Sequence, residues 1–121
     1  MSLNNKQINK NIWGKCGIRN DLNEFYRSCW EANIARILRY KNIKYIYEVK
    51  KELSYNNQKL IYLVDFYLPD YDVYLEVKGF WDDNSKLKVN LFQKNNKLII
   101  IDSNYYKQIS KEYKKLIEYW E

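Results

Sequence analysis

At 121 residues the chain has room for one hydrophobic core, and no stretch of it has a linker composition, a bilayer-spanning apolar run or a signal-peptide pattern. It contains no histidine, and its two cysteines, Cys16 and Cys29, lack CxxC spacing, which excludes the common zinc clusters and every histidine-based triad or general base. The net charge of +6 is concentrated at the start, with eight basic residues against three acidic ones in residues 1–41, an asymmetry suited to a polyanionic partner.

Residues 1–24 are polar, carry Gly14 and Gly17 and show no sustained periodicity, so they read as a basic N-terminal arm preceding a single domain over 25–121. Trp30, Ile34, Ile37 and Leu38 recur at helical spacing and predict a helix from Ser28 to Lys41, with Glu31 at the edge of its apolar stripe. Alternation from Tyr45 to Leu53 predicts a strand. Ser54 to Lys59, with Asn56 and Asn57, reads as a turn into a second strand, Leu60 to Leu68.

A third strand follows the turn Pro69-Asp70-Tyr71-Asp72, with Val73, Leu75 and Val77 alternating with Tyr74, Glu76 and Lys78. Asp82 to Ser85 offer N-caps for a helix carrying Leu87, Leu91 and Phe92. The apolar run Leu98 to Ile101 suits a strand buried on both faces. A last helix is predicted from Ser103, with Ile109, Tyr113, Leu116, Ile117 and Trp120 on one side. The order α-β-β-β-α-β-α predicts an α/β fold of the α+β type, a mixed β-sheet flanked by helices. The chain reads as soluble and cytoplasmic.

The hairpin concentrates the chemistry. A four-residue turn pairs Leu68 with Val73, Phe66 with Leu75 and Val64 with Val77 on an apolar face, which sets Asp65 opposite Glu76 on a polar one. At about 5 Å between Cβ atoms, the two carboxylates are close enough to share a divalent cation. Asp65 and Glu76 are then metal ligands, the Val77 carbonyl completes the inner sphere, and Lys78 sits beside the attacking water. This is the outline of a metal-dependent phosphodiesterase site.

Other readings stand beside it. An acid and a lysine two apart are common on solvated strands, and Glu31 has a surface ion pair with Arg27 as its alternative role. Asp65 interrupts an apolar strand, where a lone buried carboxylate would cost several kcal/mol without compensation. Asp70 and Asp72 read as turn formers. Lys6, Lys10, Lys15 and Arg19 of the arm, with Arg27 and Lys86 near the site, are the candidate phosphate contacts.

Glu31 in a helix, Asp65 in a strand and Glu76-Val77-Lys78 in the next strand occur in an order that resembles the PD-(D/E)XK nuclease superfamily, over roughly residues 26–102 and with Val64 in place of the motif proline. More narrowly, Gly17-Ile18-Arg19, Phe25-Tyr26-Arg27-Ser28 with Glu31, Asp65-Phe66-Tyr67-Leu68-Pro69 and Lys78-Gly79-Phe80-Trp81 are similar to phage junction-resolving endonucleases. Arg27 through Asn33 is also similar to related phage and intron-associated nucleases. The resemblance implies a restriction-endonuclease-like core and a Mg²⁺-dependent DNA endonuclease that leaves 5′-phosphate and 3′-hydroxyl ends, with Mn²⁺ able to substitute. It assigns Glu31 as a supporting acid and Lys78 as the catalytic lysine. It further implies a homodimer that exchanges the segment from Tyr45 to Lys59, with Glu31 in cis or in trans. A homing, restriction-type or nicking enzyme is the alternative within nucleases, and a DNA-binding module that has lost catalysis the alternative outside them.

Overall fold

The computed structural model describes residues 16–121, so Lys6, Lys10 and Lys15 lie outside the described residues. The mixed α/β character expected from the sequence is present: a mixed four-stranded sheet, a two-stranded antiparallel sheet and, among the described residues, three helices. These residues pack as two units, one made of residues 16–43 with 106–121 and the other of Lys44–Tyr105. No helix among them is long and apolar enough to cross a membrane.

In the first unit the stretch expected to be irregular forms a hairpin. Strands β1 (Gly17–Arg19) and β2 (Glu24–Tyr26) pair antiparallel through Gly17↔Tyr26, Ile18↔Phe25 and Arg19↔Glu24. The turn closes as Leu22 and Asn23 donate their N–H groups to the Arg19 carbonyl, at 3.2 and 2.8 Å, with Asn23 at a φ of 55° that asparagine tolerates. Helix α1 (Cys29–Tyr40) falls within the stretch predicted to be helical and is capped by Ser28, whose hydroxyl accepts from the Glu31 N–H. It stops at Asn42, φ 57°, where Asn42 donates to the Arg39 carbonyl and Ile43 to the Leu38 carbonyl, the two bonds of a Schellman ending.

The buried side of α1 is not purely apolar, because Asn33 and Arg36 are buried with Ala32, Ile34, Ala35, Ile37 and Leu38. Arg36 forms a two-pronged pair with Asp21, at 2.8 and 2.9 Å, and reaches Glu121 at 3.0 Å. Arg19 takes the two Glu121 carboxylate oxygens at 2.7 and 3.0 Å. The Asn33 amide donates to the Tyr106 hydroxyl and the Glu121 carbonyl, and its oxygen accepts from Arg36 and from the Glu121 N–H. Desolvated charges of this kind are tolerated because each has a charged or hydrogen-bonded partner.

The second unit holds the main sheet, ordered β3-β4-β5-β6. Strands β3 (Ile46–Tyr55) and β4 (Gln58–Leu68) are joined by Asn56 and Asn57, both at positive φ, a two-residue connection whose twist suits a hairpin. Strand β5 (Val73–Val77) pairs antiparallel with β4, in the expected register Leu68↔Val73 and Phe66↔Leu75. Helix α2 (Asp83–Gln93) begins in a reciprocal capping box between Asp82 and Ser85, then crosses over to β6 (Leu98–Ile101), which runs parallel to β5. Tyr62, Val64, Tyr74, Val89, Phe92 and Leu98 form the core.

Helix α3 (Ser103–Tyr113) follows, its first turn capped by Asp102 accepting from the Tyr105 N–H. It ends earlier than the apolar spacing predicts: beyond Tyr113 the chain turns, with Leu116 and Ile117 both donating to the Tyr113 carbonyl, and Leu116 is exposed. That turn lets Trp120 stack on Tyr106 and Glu121 reach Asn33 and the two arginines.

Candidate active site

Asp65 is the residue at which the sheet comes apart. The β3–β4 ladder runs from Ile46↔Tyr67 and Tyr47↔Phe66 to Val49↔Val64 and on to Tyr55↔Gln58, with a break where Glu48 stands opposite Asp65. Glu48 has a φ of 60°, a left-handed conformation that is costly for a non-glycine residue inside a strand. On the other side, the β4–β5 ladder ends at Phe66↔Leu75, one step before Asp65 would meet Glu76.

The backbone groups released by this opening are taken up by the two acids. The Val77 N–H donates to Asp65 Oδ2 at 2.7 Å, and the Asp65 N–H donates to Glu76 Oε1 at 3.3 Å. Each carboxylate therefore holds the other strand's main chain, and charge-assisted bonds fix both side chains where two like charges stand close together. The structure thus brings Asp65, Glu76 and Val77 together, by side-chain bonds in place of the regular cross-strand pair expected.

The even division into an apolar and a polar face does not hold. Val73, Tyr74, Leu75 and Glu76 are all buried, Glu76 to 5% exposure, because β5 is a central strand between β4 and β6. Asp65 is half-buried. Beside the pair lies the buried Tyr62 phenol, whose hydroxyl is within the influence of the Glu76 carboxylate but short of ideal hydrogen-bond geometry. Burial first, then the charge of Glu76 and hydrogen bonding to it, and last the charge of Asp65, push its ionisation far above the ordinary tyrosine range, so it stays protonated.

Lys78 follows directly on β5. Its N–H donates to the Ile101 carbonyl at 2.9 Å, and its ammonium lies 5.8 Å from the centre of the Trp81 ring, within cation–π range. The charge of Lys78 also helps hold the Asp82 carboxyl below its usual range, after the larger effect of the Ser85 hydrogen bonds that make the α2 cap. Glu31 belongs to the first unit, at the first turn of α1, where it accepts from the Ser28 hydroxyl at 3.2 Å.

The basic residues divide. Arg27 and Lys86 are exposed, the latter in the first turn of α2. Arg19 is not the phosphate contact expected from its place in a basic segment: its side chain is 0% exposed and bound to Glu121 and to the carbonyls of Gly17 and Tyr26. The sequence reading also missed Tyr62, for which the only signal was a phenol at an inward position of β4, and the Asn33–Arg36–Glu121 network, signalled by two polar residues inside an apolar helical stripe.

Among the described residues no group of three or more His, Cys, Asp or Glu side chains is placed to hold a metal ion. Two carboxylates and a main-chain carbonyl nevertheless fit a hard, oxygen-seeking cation such as Mg²⁺, which keeps several water ligands and takes phosphate oxygens from its substrate. The absence of histidine and paired cysteine speaks against softer metals. Compared with protein-family models, curated proteins and solved structures, the chain matches none of them.

Proposed function

We propose that the protein is a Mg²⁺-dependent DNA endonuclease, structure-selective and active as a homodimer, with Asp65 and Glu76 as its metal-holding acids. The observation that carries this reading is the opening of both sheet ladders at Asp65, with the two released amide groups holding the two carboxylates. A strand pair meant only for stability would gain by closing that ladder and by setting opposite charges across it. Concentrating like charge in a buried part of a sheet is costly unless something cationic shares it.

In this proposal Asp65, Glu76 and the Val77 carbonyl hold the cation. When bound, it would neutralise phosphate charge and make a coordinated water more acidic. The main-chain bonds to Asp65 and Glu76 keep their carboxylates oriented before substrate arrives, so little reorganisation remains to be done at the moment of reaction. Lys78 orients the attacking water or stabilises charge developing on the phosphate, and the Trp81 ring limits where its ammonium can go. Arg27 and Lys86 supply phosphate contacts. The preference for branched DNA, the dimer and the part of Glu31 as supporting acid come from the resemblance to junction-resolving nucleases.

The test is cleavage of four-way junction, flap, mismatch and linear duplex DNA in Mg²⁺ and in EDTA. Junction cleavage in Mg²⁺, abolished by EDTA and by Asp65→Asn with DNA binding retained, is expected. Full activity of Asp65→Asn would overturn the assignment, and equal cleavage of all substrates would replace structure selectivity with a sequence-specific or nicking activity.

A further inference from the structure

Strand β3 is ten residues long and lies at the edge of the main sheet, paired with β4 on one side and, among the described residues, with no strand on the other. A long open edge is a template for another strand. Which of its main-chain groups face outward follows from the turn. Asn56 and Asn57, both at positive φ, make Tyr55↔Gln58 the closing hydrogen-bonded pair, so Leu53 and Lys51 also bond towards β4. Ser54, Glu52 and Lys50 therefore turn their N–H and C=O groups away from β4. Their side chains share the exposed face, where Glu52 and Lys50 stand opposite Ile61 and Leu63, themselves 40% and 41% exposed.

We propose that this edge pairs antiparallel with the same edge of a second copy of the chain, about a two-fold axis at Lys51. Only outward-facing residues can exchange hydrogen bonds, so Lys50 meets Glu52 of the partner subunit and Glu52 meets the partner's Lys50. Both contacts join opposite charges. An axis at Lys50 would set that lysine against itself, an axis at Glu52 would do the same for the glutamate, and an axis at Val49 would put the left-handed Glu48 inside the pair. On the other face Val49 meets Leu53 of the partner subunit, beside a cavity of about 430 Å³ whose lining includes Lys51, Leu53, Leu91, Phe92 and Asn95. Lysine on an edge ordinarily discourages pairing, but the Lys51 ammonium is drawn over the Tyr74 ring of its own sheet, 5.3 Å from the centre. The proposal gives a surface to the homodimer of the proposed function and rests on that part of it, not on the chemistry at Asp65. Each β3–β4 hairpin stays within its own chain.

The test is sedimentation velocity over a range of protein concentrations on the wild type, Lys50→Glu, Glu52→Lys and the double variant. Each single reversal places like charges at both contacts and is expected to raise the dimer dissociation constant about tenfold or more. The double variant restores opposite charges in exchanged order and should return the constant to within about threefold of the wild type. Both positions are exposed, so circular dichroism and the unfolding midpoint should be unchanged in every variant. Glu52 also pairs with Lys59 at 3.5 Å, an exposed contact that contributes little, and Lys50→Glu leaves it in place. A dimer that neither single reversal weakens, or that the double variant fails to restore, overturns the inference and leaves a homodimer through another surface, including one that exchanges segments. A wild type that is monomeric throughout overturns the inference and the homodimer reading together, and Mg²⁺-dependent plasmid cleavage by that monomer would show that the nuclease reading stands without them.

Discussion

Both units of this protein bury charged side chains, and they compensate them differently. In the first, Arg19 and Arg36 meet the carboxylates of Asp21 and Glu121 in two-pronged geometry, and Asn33 bridges what remains. In the second, two carboxylates stand together, held by main-chain amides taken from a broken strand ladder, beside the buried Tyr62 phenol. Opposite charges that satisfy one another make a structural network, which resists change and has little to offer a ligand. Under the proposed function, like charges held in place by the backbone are what a bound cation would engage.

The largest effect that could break this contrast lies at the acid pair. Glu76→Gln is expected to lower Mg²⁺-dependent cleavage on the order of a thousandfold or more while leaving DNA affinity and the unfolding midpoint nearly unchanged. A fall in stability without loss of cleavage would move Glu76 into the structural class. In the first unit the expectation reverses: Arg36→Met leaves Asp21 without its two-pronged partner and should cost about 3–5 kcal/mol in urea unfolding. A neutral result there would mean that the network is not what holds α1 in its unit.

Smaller effects sharpen the same division. Lys86→Ala should reduce the slope of log affinity against log salt by about one, measured by fluorescence anisotropy on duplex DNA, whereas Arg19→Ala should leave the slope unchanged and lower stability instead. The pH dependence is smaller again. Burial raises the Tyr106 phenol to about 12, against about 10 for an unfolded tyrosine. The stability that this gives is therefore complete below about pH 10 and lost as the pH rises towards 12. Unfolding midpoints followed across that range should fall less steeply in Tyr106→Phe than in the wild type. Equal slopes would show that the phenol is solvated in the folded state.

Much of the fold was legible because its signals are local. The helix starting near Ser28, the apolar run Leu98 to Ile101, the Asp82–Ser85 start of α2 and the hairpin register at Leu68↔Val73 each depend on residues a few positions apart. The β1–β2 hairpin was not legible, since strands of three residues carry too little alternation to stand out. Nor was the burial of Arg19, whose partner Glu121 lies 102 positions away and which in sequence is one more basic residue in a basic segment. At the site, strand register was enough to set Asp65 against Glu76. It could not show that the ladders open there, because the break depends on the positive φ of Glu48 and on amide groups that bond to side chains. Tyr62 escaped for a related reason: a phenol facing inward looks like core until its hydroxyl is found beside the Glu76 carboxylate.

The most direct test is incubation of supercoiled plasmid bearing a cruciform-forming inverted repeat with wild-type protein, Asp65→Asn and Glu76→Gln, each in Mg²⁺ and in Mg²⁺ with excess EDTA present from the start. The account predicts nicked and linear products from the wild type in Mg²⁺ alone, and intact plasmid in every other lane. Cleavage that persists in EDTA, or in either variant at the wild-type rate, would contradict it.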